Sequence, residues 1–269
     1  MTKTVALDLD GVVYTGGRLL PGAAEAVIAI RSSNLHVWFV TNNSAQTRSA
    51  IAAKLSRLGV PAAESDVMTS GYATSLYVRR LAHEARVRVV VVGSDELKAM
   101  LAAAGLVPVA EPPGDFLVVG MDRAFTYLGI KTALDALLDG AVFVACNRDA
   151  TYPVEGGERM PGCGPIVAAI ECAADHQADY VVGKPGPLLL EMVAAADGIL
   201  PSELLVVGDT PESDVAAARN FGSQSVLIRG PAQTPSASSG EGRSRPDYVL
   251  QTLADLPGLL TSKLGMGSS

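Results

Sequence analysis

Short apolar runs rich in β-branched residues alternate with longer helical stretches along nearly the whole chain, and no other feature narrows its folding choices as much. Val5–Leu9, His36–Thr41, Val87–Gly93, Phe116–Gly120, Ala141–Ala145, Tyr180–Gly183, Leu204–Val207, Ser225–Ile228 and Tyr248–Leu250 read as strands, with a shorter one at Asp66–Thr69. Strands apolar on both sides of the pleat belong in a parallel sheet covered by helices. The intervening stretches supply those helices. One opens at Pro21-Gly22 and ends near Ser33, and another covers Gln46–Leu58 and stops at Gly59. Further helices begin at Ser70, span Asp95–Ala104, Thr126–Leu138, Pro165–Ala174 and Pro187–Ala196, and end at Phe221. Pro231–Pro246, rich in Ser, Pro and Gly, reads as a mobile loop, and the tail from Ser262 as disordered.

The fold class is therefore α/β, with a Rossmann-like parallel sheet. With 269 residues, 48% of them hydrophobic and 18% charged, the chain can bury one large core or two modest ones. A net charge of −7 and the lack of a basic run in the sequence argue against nucleic acid or a membrane surface as partner. Three cysteines without a Cys-x-x-Cys pair argue against a disulfide framework or zinc ribbon. Asp8 and Asp10 interrupt any signal-peptide core, and no apolar run approaches the ~18 residues that span a bilayer. The expected location is the cytoplasm.

Ligands of open α/β sheets sit beyond the C-terminal ends of the strands. Reading only those places gives Asp8 and Asp10, Thr41-Asn42-Asn43, Lys184, and Asp209 with Asp214. Two carboxylates flanking Leu9 at the end of an apolar run lose hydration and repel unless a cation neutralises them. Together with Asp209 they offer hard oxygens of the kind that hold octahedral Mg²⁺. An isolated Asp-x-Asp more often caps a turn. Here a second acidic motif, GDTPESD, also follows an apolar run, which weakens that explanation. Asp8 fits a carboxylate nucleophile and Asp10 a general acid and base. Lys184 is the cation that an acidic protein needs beside an anionic substrate. Thr41 reads equally as a helix-capping hydroxyl, and Asp214 as a first-turn residue favoured by the helix dipole.

The set DLDGV, VTNNS, GKP and GDTPESD resembles the haloacid dehalogenase (HAD) superfamily in residue type, order and spacing, from Val5 to about Asp247. The resemblance implies that Asp8 is the nucleophile and Asp10 the acid/base, and that Thr41, Asn42 and Asn43 bind phosphate with Lys184. It implies Mg²⁺ on Asp8, the Asp10 carbonyl and Asp209, with Asp214 acting through water or behind the ligands. Asp at the second acidic position is the phosphatase pattern of that superfamily. About 140 residues separate Asn43 from Lys184, far beyond an ordinary crossover. A second, smaller α/β domain is thus expected there, as in the class IIA, NagD-like branch, which DGVVYTGG and CNRDATYPVEGGERMPGCG also resemble. The expected division is a catalytic core of residues 1–74 and 180–262, a cap of 75–179, and a disordered tail of 263–269.

That branch implies a small phosphorylated metabolite as partner and leaves a homodimer open. Selectivity is expected in the loop Asn147–Gly164, where Arg148, Asp149, Glu155, Glu158 and Arg159 could address a leaving group. Only Tyr152 offers a stacking surface there. Glycerol 3-phosphate or 2-phosphoglycolate is therefore preferred to a nucleotide such as UMP or to pyridoxal phosphate. A cysteine phosphatase fails for want of Cys-x5-Arg, and a Walker A loop fails because Pro185 follows Lys184. Outside phosphate-ester hydrolysis, the alternatives are a phosphomutase and a receiver-like phospho-acceptor without sustained turnover.

Overall fold

The computed structural model describes residues 1–154, 158–230 and 245–263. The chain begins with β1 (Thr4–Leu7), the small hairpin β2 (Tyr14–Thr15) and β3 (Arg18–Leu19), α1 (Ala23–Ser32), β4 (His36–Thr41) and α2 (Arg48–Arg57). Next come β5 (Val67–Thr69), α3 (Ser70–Leu81), β6 (Arg88–Val92), α4 (Asp95–Ala103), β7 (Val107–Val109), β8 (Phe116–Val119) and α5 (Tyr127–Leu138). These lead to β9 (Val142–Ala145), the hairpin β10 (Thr151–Pro153) and β11 (Arg159–Pro161), α6 (Cys163–Ala174), β12 (Tyr180–Val181) and α7 (Leu188–Asp197). The chain closes through β13 (Leu204–Gly208), α8 (Ala216–Phe221), β14 (Gln224–Ile228), β15 (Tyr248–Leu250) and α9 (Leu256–Lys263).

Six parallel strands form one sheet in the order β15-β14-β13-β1-β4-β5. β1 lies inside it, with Thr4–Leu7 in register with Leu204–Val207 on one side and His36–Phe39 on the other. The chain builds outward from β1 through β4 and β5, then returns to the other side of β1 for the rest. The order therefore reverses beside β1, which opens a crevice at its C-terminal end. Five more parallel strands, β12-β9-β8-β6-β7, make a second sheet.

The period of two along each strand sorts the core. Val5, Leu7, Val37, Phe39, Leu205 and Val207 pack on one face of the first sheet with Val27, Ile30 and Leu55. Ala6, Trp38, Val40 and Val206 face the other way, into a cluster that also holds Val89, Leu97, Leu101, Val118 and Val144 of the second unit. One apolar cluster thus runs between the two sheets. The far face of the second sheet is covered by Ala133 and Ala136 of α5 and by Val167 and Ile170 of α6. Phe39 is fully buried, and truncating such a ring to alanine costs about 3–5 kcal/mol.

Three sequence expectations shift. The strand expected at Tyr180–Gly183 is shorter, and it pairs with β9 of the second sheet, Tyr180 opposite Val144. An open edge on β9 leaves peptide groups unpaired. The returning chain satisfies them before crossing to the first sheet, so the boundary expected at 179/180 falls ahead of the second sheet's last strand. α2 starts at Arg48 because Thr47 caps it, with Ala50 N–H donating to Thr47 Oγ1 at 3.1 Å. α9 continues through Ser262 to Lys263, beyond the point where the tail was expected to begin. Residues 231–244 of the expected loop, Glu155 of the selectivity loop and the tail from 264 lie outside the described residues. No described helix is long and apolar enough to cross a membrane.

Candidate active site

β1 delivers Asp8 to the crevice, its N–H donating to Val207 O at 2.8 Å beside the end of β13. Lys184 meets it there. The ammonium donates to Asp8 Oδ1 and Asp214 Oδ1, both at 2.6 Å, and to Val40 O at 3.2 Å, so each of its three N–H groups has an acceptor. Lys184 and Asp214 are almost fully buried, at 4% and 2% exposure. Asp8, Asp209 and Asp214 each bring a carboxylate oxygen within 4.8 Å of the others. Asp10 stands one step beyond, where Gly11 takes φ +85° and its N–H donates to Tyr14 O at 2.8 Å, turning the chain into the β2–β3 hairpin. A side chain at Gly11 would also collide with the Asp209 carboxylate.

Asp214 is placed by an irregular turn. After β13 the chain makes one π-helical turn, Pro211–Val215, before α8. Such turns recur at functional sites because they redirect a side chain. Here the turn folds Asp214 back, so that its Oδ2 accepts the Thr210 N–H at 3.1 Å while its Oδ1 holds Lys184. Gly208 is indispensable to that return, since a Cβ there would overlap the Asp214 side chain. Thr210 Oγ1 donates to Asp209 Oδ1 at 2.9 Å. Asp214, expected behind the ligands or bridged by water, contributes an oxygen to the carboxylate cluster and ion-pairs directly with Lys184.

Burial dominates the electrostatics. It pushes Asp8 well above the usual carboxylate range, with Lys184 opposing and Asp214 and Asp209 adding to the rise. Asp209 is pushed up to about 6, first by burial and then by Asp214. Burial also raises Asp10, against the pull of Lys54 and Lys184. For Lys184, burial favours the neutral form, but Asp214 and Asp8 together outweigh it and hold the ammonium above its ordinary value. The lysine stays charged. Three clustered carboxylates facing one ammonium retain excess negative charge in a low-dielectric pocket, which is the donor set that a hard divalent cation satisfies. The residues present fit Mg²⁺.

The Thr41 loop is self-braced. Thr41 Oγ1 accepts the Asn43 N–H at 3.2 Å, and Asn43 Oδ1 accepts the Ala45 N–H at 2.9 Å while its Nδ2 donates to Gln46 Oε1. Thr41 therefore shapes the loop rather than capping α2. Asn42 Oδ1 accepts the Lys184 N–H at 2.8 Å, and its Nδ2 donates to Lys184 O and to Asp149 Oδ1, both at 3.0 Å. Both amide hydrogens of Asn42 are thereby engaged within the protein.

The selectivity-loop residues divide. Arg148 turns away, its guanidinium forming a two-pronged ion pair with Glu171 on α6. Its planar fork matches the two carboxylate oxygens there. Asp149 points to Asn42, and Arg159 donates to Thr151 Oγ1 at 2.8 Å. Tyr152 receives a hydrogen bond from Arg123 at 3.1 Å on its hydroxyl. Sequence reasoning missed Asn147, whose Nδ2 donates to Asn42 O at 2.7 Å, and Ser44, whose Oγ accepts the Met121 N–H at 2.8 Å. Position could have found both, since each follows the end of an apolar run.

Comparison with known proteins agrees with this geometry. A family described as haloacid dehalogenase-like hydrolase matches residues 5–107, and a second HAD-like hydrolase family matches 181–256. Human glycerol-3-phosphate phosphatase is 34% identical over 94% of this chain and 89% of its own length. Sugar-phosphatase AraL of Bacillus subtilis is 32% identical over 94% of this chain and 91% of its own. Among solved structures, p-nitrophenyl phosphatase from Archaeoglobus fulgidus superposes with a TM-score of 0.87 at 28% identity, covering 96% of this chain and 99% of that one. A glycerol phosphate phosphatase from Mycobacterium tuberculosis, solved in complex with magnesium, gives 0.85 at 31% identity, covering 95% of this chain and 77% of that one. The chain belongs to the haloacid dehalogenase-like hydrolases.

Proposed function

We propose that the chain is a Mg²⁺-dependent phosphatase that hydrolyses a small phosphate monoester through a phosphoaspartate on Asp8. The observation that carries this reading is the Lys184 ammonium, held 2.6 Å from both Asp8 and Asp214 beside the Asp209 carboxylate. Asp8 attacks phosphorus, forming a P–O bond to its carboxylate while the ester P–O bond breaks. Asp10 gives its proton to the departing alkoxide, then takes one from the water that hydrolyses the acyl phosphate and restores Asp8. Burial keeps Asp10 above the usual carboxylate range, the direction a general acid requires. Lys184 and the loop of Thr41, Asn42 and Asn43 hold the phosphoryl oxygens. Mg²⁺ on Asp8, the Asp10 carbonyl and Asp209, with Asp214 behind them, would draw off negative charge from those oxygens.

Residues 1–74 together with those beyond β12 form the catalytic unit in this reading, and the five-stranded sheet forms the cap that excludes water. Glycerol 3-phosphate or 2-phosphoglycolate is the preferred substrate class, supported by the relatives that bear the former name. The test is a panel of phosphorylated metabolites ranked by kcat/KM with Mg²⁺, run beside Asp8→Asn. A three-carbon or smaller ester should rank first, and the variant should be silent. A wild-type protein that turns over no ester would refute the proposal.

A further inference from the structure

Asn42 is where the two sheets meet. Two of its side-chain bonds grip the backbone of Lys184, on either side of the residue whose ammonium lies between Asp8 and Asp214. Its other contacts include two to the end of β9. Asn42 O accepts from Asn147 Nδ2 at 2.7 Å, and Asn42 Nδ2 donates to Asp149 Oδ1 at 3.0 Å. Asn147 and Asp149 are themselves joined, Asp149 N–H donating to Asn147 Oδ1 at 3.0 Å. The backbone behind them is fixed by α6, whose Gly164 N–H donates to Asp149 O, and by Gly162 N–H on Ala150 O, both at 2.9 Å. Lys184 reaches the crevice beside the same strand, because Gly183 N–H donates to Cys146 O at 2.8 Å. The carboxylate that reaches Asn42 is thus rigidly presented by the second sheet.

We infer that Asp149 is a positioning residue, which holds the Asn42 carboxamide against the Lys184 backbone and so fixes the lysine charge relative to Asp8. Removing its oxygen orphans an N–H on a residue only 9% exposed. An amide with a vacant hydrogen turns toward water, and its paired bonds to Lys184 loosen. The inference rests on the proposed roles of Asp8 and Lys184, and it reassigns Asp149 from the leaving group to the phosphoryl end of the site.

The experiment compares Asp149→Ala and Asp149→Asn with wild type and Asp8→Asn, on p-nitrophenyl phosphate and glycerol 3-phosphate. Asp149→Ala should lower kcat roughly 10- to 100-fold on both esters, the scale of a small misplacement of a reacting group, with KM changed less than about twofold. Asp149→Asn should recover most of the loss, since its carbonyl oxygen accepts the same N–H. Independently of turnover, the Asn42 side-chain amide signals in ¹H–¹⁵N spectra should move in the alanine variant and stay near wild type in the asparagine variant. An unchanged kcat in Asp149→Ala, a loss confined to KM for one ester, or an asparagine variant as impaired as alanine would each overturn the inference. If wild type turns over neither ester, the phosphatase proposal falls instead. The amide signals then decide alone: moved in the alanine variant they support the contact, unmoved they overturn it.

Discussion

The two parallel sheets are built from the same sequence pattern, yet their C-terminal edges are put to different use. In the first, β1 and β13 end in Asp8 and Asp209, which crowd together around one buried lysine. In the second, β6 ends ahead of Ser94, whose hydroxyl caps α4, and β8 ends ahead of Met121, whose N–H is taken by Ser44 of the first unit. β9 ends in Asn147 and Asp149, which reach across to Asn42. The first edge gathers charge at a cost in desolvation, whereas the second caps its own helix and docks against its neighbour. Identical architecture therefore says little about where chemistry lies. The residue types past each strand decide it.

That contrast can be broken by substitution. The largest effect should come from Asp8→Asn, which keeps shape but removes the nucleophile. Turnover of any ester should fall by about 10⁴-fold or more while the circular dichroism spectrum stays native, and wild-type-like rates would end the assignment. Next in size is Lys184→Met. It leaves Asp8 and Asp214 buried without their cation, a loss on the order of 3–5 kcal/mol in urea unfolding, together with loss of activity. A stability unchanged within about 1 kcal/mol would mean that the carboxylates take up protons at no cost.

Chelation comes third. EDTA should silence turnover and Mg²⁺ should restore it, and Mg²⁺ at about 100 times its Kd should stabilise the fold by about 2.7 kcal/mol in thermal melts. A melting temperature indifferent to Mg²⁺ would detach the metal from the acidic edge. The matching change on the second sheet is Ser94→Ala. Loss of the cap should cost about 1 kcal/mol with kcat intact, and a fall in kcat would show that the two edges are not as distinct as drawn.

The smallest effect belongs to the opposite, N-terminal edge of the first sheet. Asp66 is held below the usual carboxylate range: partial burial alone would raise it, but the Ala63 N–H and the nearby Arg31 prevail. A depressed value in the folded state means that the unfolded chain binds protons first on acidification. Its contribution is complete above the unfolded value near ~4 and fades as pH drops below it. Solvent screening keeps that contribution under about 1 kcal/mol. Asp66→Asn should therefore lower the urea midpoint slightly at pH 6 and by less as the pH falls below about 4, and a loss that does not shrink on acidification would exclude the charge as the cause.

The sequence carried the strands well because buried parallel strands are apolar on both faces, as β1 is from Val5 to Leu7 and β13 throughout. It hid what depends on short or irregular elements. β7 contains Pro108, and α9 has Pro257 and Gly258 in its first turn, so neither advertises its type. The acidic edge was legible because carboxylates after apolar runs are conspicuous. The engagement of Arg148 with Glu171 was not, since the partners lie 23 residues apart and only the packing of α6 brings them together. Likewise, nothing local to Tyr180-Val181 says which sheet its edge will join.

Gly11 and Gly208 offer no functional group, yet the acidic side chains of Asp209 and Asp214 occupy the space where their β-carbons would be. In an exhaustive substitution screen these two positions would therefore score as unforgivingly as the nucleophile itself. Ranking by mutational sensitivity would count them among the reacting residues, although what they lend the acidic side chains is emptiness.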